Sequence, residues 1–130
     1  MDQRKIIFCI CFAILFSITG NYARTIKWLD GTWEGQKYQT NMDKSWKMKL
    51  TCNSRQNIFT VEYPELNCKG NLVVTKVKGK MIILTEKIKN GSCVDDGYII
   101  ITFAGDGFIT FTCLRDNKSR LASYCTLEKK

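Results

Sequence analysis

Residues 98–114 read YIIITFAGDGFITFTCL, from Tyr98 to Leu114. Two β-rich runs, Tyr98–Ala104 and Phe108–Leu114, flank Asp106-Gly107. An Asp-Gly pair between such runs is the strongest short-range hairpin signal, because the turn needs positive φ and glycine accepts it without steric cost. The same grammar extends in both directions along the chain. Thr32–Thr40 opens the series with Trp33. In Ser45–Cys52, Trp46, Met48, Leu50 and Cys52 alternate with Lys47, Lys49 and Thr51. In Ile58–Tyr63, Phe59, Val61 and Tyr63 share one face, with Thr60 and Glu62 on the other. A period of two means one dry face and one wet face.

Pro64, the chain's 1 proline, ends that third run because it has no N–H to give to a ladder. Asn71–Lys78 and Lys80–Ile88 follow, with Lys78-Gly79 as their turn, and Asn90-Gly91 marks the next loop. After the Asp-Gly hairpin, Asp116-Asn117 turns the chain into Ser119–Leu127. Almost no stretch after residue 23 carries a helical period. The reading is an all-β domain, an antiparallel meander of about eight strands. Closing such a sheet removes its two exposed edges, which favours a barrel, with a two-sheet β-sandwich as the alternative.

The N-terminus has a different grammar. Arg4 and Lys5 precede an apolar run, Ile6 to Ile18, and a short polar stretch ends at Ala23. That is the pattern of a signal peptide, residues 1–23, and the run is too short for the roughly 20 apolar residues of a membrane span. Residues 24–130 then form a single domain that is secreted or periplasmic and has no membrane span after cleavage. The full chain carries a formal charge of +8, and removing Asp2, Arg4 and Lys5 leaves +7.

An oxidising compartment makes the cysteines disulfide candidates. Cys52, Cys68, Cys93, Cys113 and Cys125 follow Ala23, an odd number, so at most two bridges form within the chain. The candidates are Cys68, Cys93, Cys113 and Cys125, with Cys52 unpaired; Cys52 bridged to Cys113 or Cys125 competes. If Asp116-Asn117 is the turn, Cys113 faces Arg120 and Cys125 faces Phe108. A Cys113–Cys125 bridge then needs a looser loop to bring its Cα atoms within about 7 Å. None of these cysteines forms a C-x-x-C pair and the chain has 0 histidines, so no metal site and no cofactor is expected.

Three segments together carry a resemblance. They are Gly31-Thr32-Trp33-Glu34-Gly35 with Tyr38, then Tyr63-Pro64-Glu65-Leu66-Asn67-Cys68-Lys69-Gly70-Asn71-Leu72, then Glu86 and Ile88 with Gly91-Ser92-Cys93-Val94-Asp95-Asp96-Gly97. The chain resembles a group of small secreted bacterial β-domains that share the Y-P-x-L-x-C-x-G-x-L segment. The resemblance implies a lipocalin/avidin-like barrel or a half-open β-sandwich, with Cys68 bridged to Cys93, and it carries no catalytic residues across. Cys113 and Cys125 stand where that pattern has an aromatic and a glycine, and Cys52 is additional to it.

For function, the reading is an exported, non-enzymatic binding or interaction domain. If the barrel holds a small apolar ligand, Trp33, Tyr38, Trp46 and Phe59 are its candidate walls, although aromatics at such positions also serve simply as core. Lys76, Lys78, Lys80, Lys87 and Lys89 are candidates for an anion-binding stripe, or for lysines that guard a sheet edge. Aromatics do not interleave with these lysines, so sequence-specific nucleic acid is not an expected partner. An unknown protein partner, including an extracellular hydrolase that the domain inhibits, is the second reading. The third is a small hydrolase built on Glu86, Asp95 and Asp96. Asp95-Asp96-Gly97 reads more simply as a turn, and no Ser or His constellation accompanies it.

Overall fold

The alternation in the sequence builds eight strands in the computed structural model, which describes residues 25–91, 93 and 97–130. They are β1 (Gly31–Gln39), β2 (Lys44–Asn53), β3 (Ile58–Tyr63), β4 (Cys68–Lys78), β5 (Met81–Asn90), β6 (Tyr98–Phe103), β7 (Phe108–Arg115) and β8 (Arg120–Lys129). The segment read as a signal peptide and the Asp95-Asp96 turn lie outside the described residues, as does the side chain of Lys89.

Each strand pairs antiparallel with the next, and β8 returns to β1, placing Trp33 opposite Lys129 and Tyr38 opposite Tyr124. The sheet is therefore a closed barrel, and the two-sheet sandwich is not adopted. Closure leaves no row of unpaired edge amides to recruit another chain. Asp106-Gly107 forms the β6–β7 connection as expected, with Gly107 at φ 78.

The inward residues form the core. Met48, Leu50, Val61, Ile82, Leu84, Ile99, Ile101, Ile109, Phe111 and Leu127 are fully buried. Each such side chain contributes about 1.5–3 kcal/mol by leaving water. One end of the barrel is plugged by the chain entering it. A 3₁₀ turn at Lys27–Leu29 buries Ile26 and Leu29, and Trp33 Nε1 donates to the Leu29 carbonyl at 2.8 Å. Asp30 then accepts from the Ser54 amide at 2.6 Å and from its hydroxyl at 2.8 Å, tying the plug to the end of β2.

Three features depart from the expected layout. β4 begins at Cys68 rather than Asn71: Gly70 sits within the strand beside a register shift, and the bend falls on Asn67, at φ 52. A second 3₁₀ turn, Pro64–Leu66, joins β3 to β4, with proline at its start where a missing N–H costs nothing. The last hairpin is longer than Asp116-Asn117, since Asp116, Asn117 and Lys118 all take positive φ. A register shift after Cys113 follows, so Cys113 faces Ser123 and Cys125 faces Phe111, not Arg120 and Phe108.

The cysteines sort accordingly. Cys68 and Cys93 are joined, with Cα atoms 6.1 Å apart. Cys113 and Cys125, read as disulfide candidates, are free and buried, because the register seats each against a different partner on the neighbouring strand. Cys52 is also a free thiol, buried at the far end of β2.

Candidate functional site

Period-two counting from Trp33 brings Gly35 and then Lys37 to the inside of β1. Lys37 is 9% exposed, an unusual place for an ammonium. The same counting along β3 turns Tyr63 inward after Phe59 and Val61. Along β5 it turns Glu86 inward after Ile82 and Leu84, where Glu86 is 1% exposed.

These three side chains meet in the barrel. Lys37 Nζ donates to the Tyr63 hydroxyl at 2.8 Å, and that hydroxyl donates to Glu86 Oε2 at 2.5 Å. The other carboxylate oxygen, Oε1, faces Arg115 Nη2 at 3.8 Å. The Lys37 ammonium also lies 4.4 Å from the Tyr63 ring centroid and 5.5 Å from that of Phe111. A neutral phenol is thus held between a cation and a carboxylate, with both hydrogen bonds charge-assisted. Burial, and then the neighbouring Glu86 carboxylate, push the Tyr63 phenol well above its usual range, so it stays protonated and can keep donating.

Above this chain of polar contacts the barrel is open. A cavity of about 310 Å³ lies at the end opposite the plug, lined by Lys37, Gln39, Met42, Trp46, Tyr63, Leu66, Glu86, Cys93, Arg115, Ala122 and Ser123. The polar residues come from strands: Lys37 and Gln39 from β1, Tyr63 from the end of β3, Glu86 from β5, Arg115 from the end of β7 and Ser123 from β8. The apolar ones come from the β1–β2 turn, the start of β2, the Pro64–Leu66 turn and the start of β8. The Cys68–Cys93 bridge sits beside this mouth and ties the segment after β5 to the start of β4.

Comparison of the chain with protein-family models, with curated proteins and with solved structures finds no match.

Of the expected cavity walls, only Trp46 lines the cavity. Trp33 and Phe59 are buried in the core instead, Trp33 against the plug. Tyr38 is on the outer face, where its ring lies 5.5 Å from that of Tyr124 and its hydroxyl donates to Asp43 at 2.7 Å. That hydrogen bond, ahead of burial, raises the Tyr38 phenol. Of the four, Tyr38 alone faces outward, and its neighbour Lys37 is the inward residue.

The expected lysine stripe does not gather into one patch. Lys76 and Lys78 are exposed near one end of the β4–β5 hairpin, whereas Lys87 pairs with Asn71. Seven residues of strand separate Asn71 from Lys78, roughly 23 Å at about 3.3 Å per residue. Lys80 lies in the hairpin turn with its ammonium 4.2 Å from the Phe103 ring centroid. The side chain of Lys89 falls outside the description.

Glu86, placed in the sequence with Asp95 and Asp96, is engaged by Tyr63 and Arg115. Among the described residues that line the cavity it is the one carboxylate. Among the described residues no group of three or more His, Cys, Asp or Glu side chains is placed to hold a metal ion. Cys113 stands nearby, its thiol raised by burial against the opposing pull of the Lys37 ammonium.

Proposed function

We propose that this protein is an exported, non-enzymatic binding barrel that holds a small amphipathic molecule in its open end, in the manner of a lipocalin-like carrier. The observation that carries this reading is the cavity itself: an apolar rim over a buried polar floor, in a barrel otherwise filled with side chains. Concave sites with apolar walls and a few convergent polar groups are where small molecules bind. Here Met42, Trp46, Leu66 and Ala122 supply the walls, and Lys37, Tyr63, Glu86 and Arg115 supply the floor.

Export is supported by the pattern of residues 1–23 and by the Cys68–Cys93 bridge, which suits an oxidising compartment. The absence of histidine and the engagement of Glu86 by Tyr63 and Arg115 favour binding over carboxylate chemistry.

The test is native mass spectrometry of the protein taken from its exported fraction, with and without reductant. The expected result is a mass for residues 24–130 with one disulfide and a reproducible small adduct. A bare monomer that also fails to take up any amphiphile would remove the carrier reading. A dimer split by reductant would turn attention to protein recognition.

A further inference from the structure

The floor of the cavity says more about what it takes. An ammonium has three donors and no acceptor. Lys37 gives one of them to Tyr63, and no carboxylate among the described residues is in ion-pair contact with it. It is more than nine-tenths buried and lines the cavity. An apolar occupant would strip the remaining donors of water and leave the buried cation only the Tyr63 hydroxyl and the Tyr63 and Phe111 ring faces, which is costly. Glu86 offers no comparable anchor for a cation, because one oxygen accepts from Tyr63 and the other faces Arg115.

We propose that the cavity binds a small monocarboxylate, with its carboxylate on Lys37 Nζ and its apolar body against Trp46, Met42 and Leu66. This inference rests on the carrier reading above and names the chemistry of its ligand. A single negative charge fits better than a double one, because the Glu86 carboxylate stands just beyond Tyr63 and repels added charge. Size follows from the volume. At about 30 Å³ for each water-sized group, 310 Å³ accommodates on the order of ten non-hydrogen atoms. Octanoate, a carboxylate of about that size, is therefore the probe of choice.

Calorimetric titration of the product of the full chain, as processed by the cells that express it, distinguishes the outcomes. Octanoate, octan-1-ol and octylamine share one apolar tail and differ in the head. Octanoate is expected to bind at least tenfold more tightly than octan-1-ol, and octylamine more weakly still. Lys37→Met, close to lysine in volume, is expected to lose at least tenfold for octanoate while keeping its affinity for octan-1-ol. Equal binding of the acid and the alcohol, or preference for the amine, would overturn the carboxylate while leaving a ligand-binding barrel. Unchanged octanoate affinity in a folded Lys37→Met protein would overturn Lys37 as its anchor. Failure of all three probes, together with no adduct in native mass spectrometry, would overturn the carrier reading itself. The wild-type comparison of the three heads needs no variant to fold.

Discussion

The Tyr63 hydroxyl donates to the Glu86 carboxylate at 2.5 Å, joining β3 to β5 across the inside of the barrel. The two residues stand 23 positions apart in the chain, on strands that are not neighbours in the sheet. The contact gives a buried carboxylate a donor and leaves the hydroxyl free to accept from Lys37. Removing one member strands the others.

Tyr63→Phe deletes that hydroxyl and leaves both Glu86 and Lys37 short of a partner in a buried site. The expected loss of stability is about 2–3 kcal/mol, more than an ordinary hydrogen bond because charged groups are left unmet. Glu86→Gln weakens the same node by removing the charge that faces Arg115. The double variant is expected to cost less than the sum of the singles, with a coupling of at least about 1 kcal/mol. Urea denaturation of the four proteins at pH 7 measures it. Additive losses would show that the contact has no energetic weight.

The free thiols predict a pH dependence. Burial raises all three; for Cys125 the pKa goes from 9.0 to about 12, and Cys52 and Cys113 move the same way. Below pH 9 these thiols are protonated in both the folded and the unfolded chain, so their contribution is fully present. Above it the unfolded thiols ionise first, so stability falls as pH climbs from about 9 toward 12. The slope approaches about 1.4 kcal/mol per pH unit for each thiol involved. Tyr63 adds to the fall above about pH 10, its usual value. Urea midpoints between pH 8 and 11 test this, and the Cys52→Ala/Cys125→Ala protein is expected to show a shallower decline.

The same thiols can be counted with Ellman's reagent at pH 8. The native protein is expected to react slowly or not at all, and denaturation without reductant to release 3 thiols from a chain cleaved after Ala23. Cys9 and Cys11 would add two if the leader were retained. A count of one would mean that a second bridge forms.

Gly35 marks the seam where β1 meets β8. A Cβ there would lie 2.6 Å from the Thr126 carbonyl oxygen and 2.9 Å from Leu127 Cδ2, so the strands must part to admit it. Gly35→Ala is expected to destabilise by about 1–3 kcal/mol, despite the smaller entropy of its unfolded chain. Hydrogen exchange locates the damage. The amides of Thr40, bonded to Ala122 at 2.9 Å, and Lys130, bonded to Thr32 at 2.9 Å, are expected to lose protection first. Undisturbed seam amides in this variant would contradict the close approach.

Much of the fold was legible before any coordinate. Alternation around Met48 and Leu50, around Phe59 and Val61, and the Asp106-Gly107 turn are local signals, and each strand they imply is present. The site was less legible. Parity from Trp33 already pointed Lys37 inward and Tyr38 outward, but aromatic character outweighed parity in choosing candidate walls. Nothing local announced Arg115 or Ala122 and Ser123, which reach the cavity through the lengthened last turn and the register shift beside Cys113.

By itself the sequence determined eight antiparallel strands and their order, because hydrophobic period and turn chemistry act over neighbouring residues. Tertiary structure decided that Lys37, Tyr63 and Glu86 meet, that Cys113 and Cys125 stay apart, and that Lys27–Leu29 plugs the end opposite the cavity. The physical reason is that parity names the face a residue takes but not its height in the barrel. Height depends on the stagger accumulated from strand to strand, including the bulges, and on β8 closing against β1.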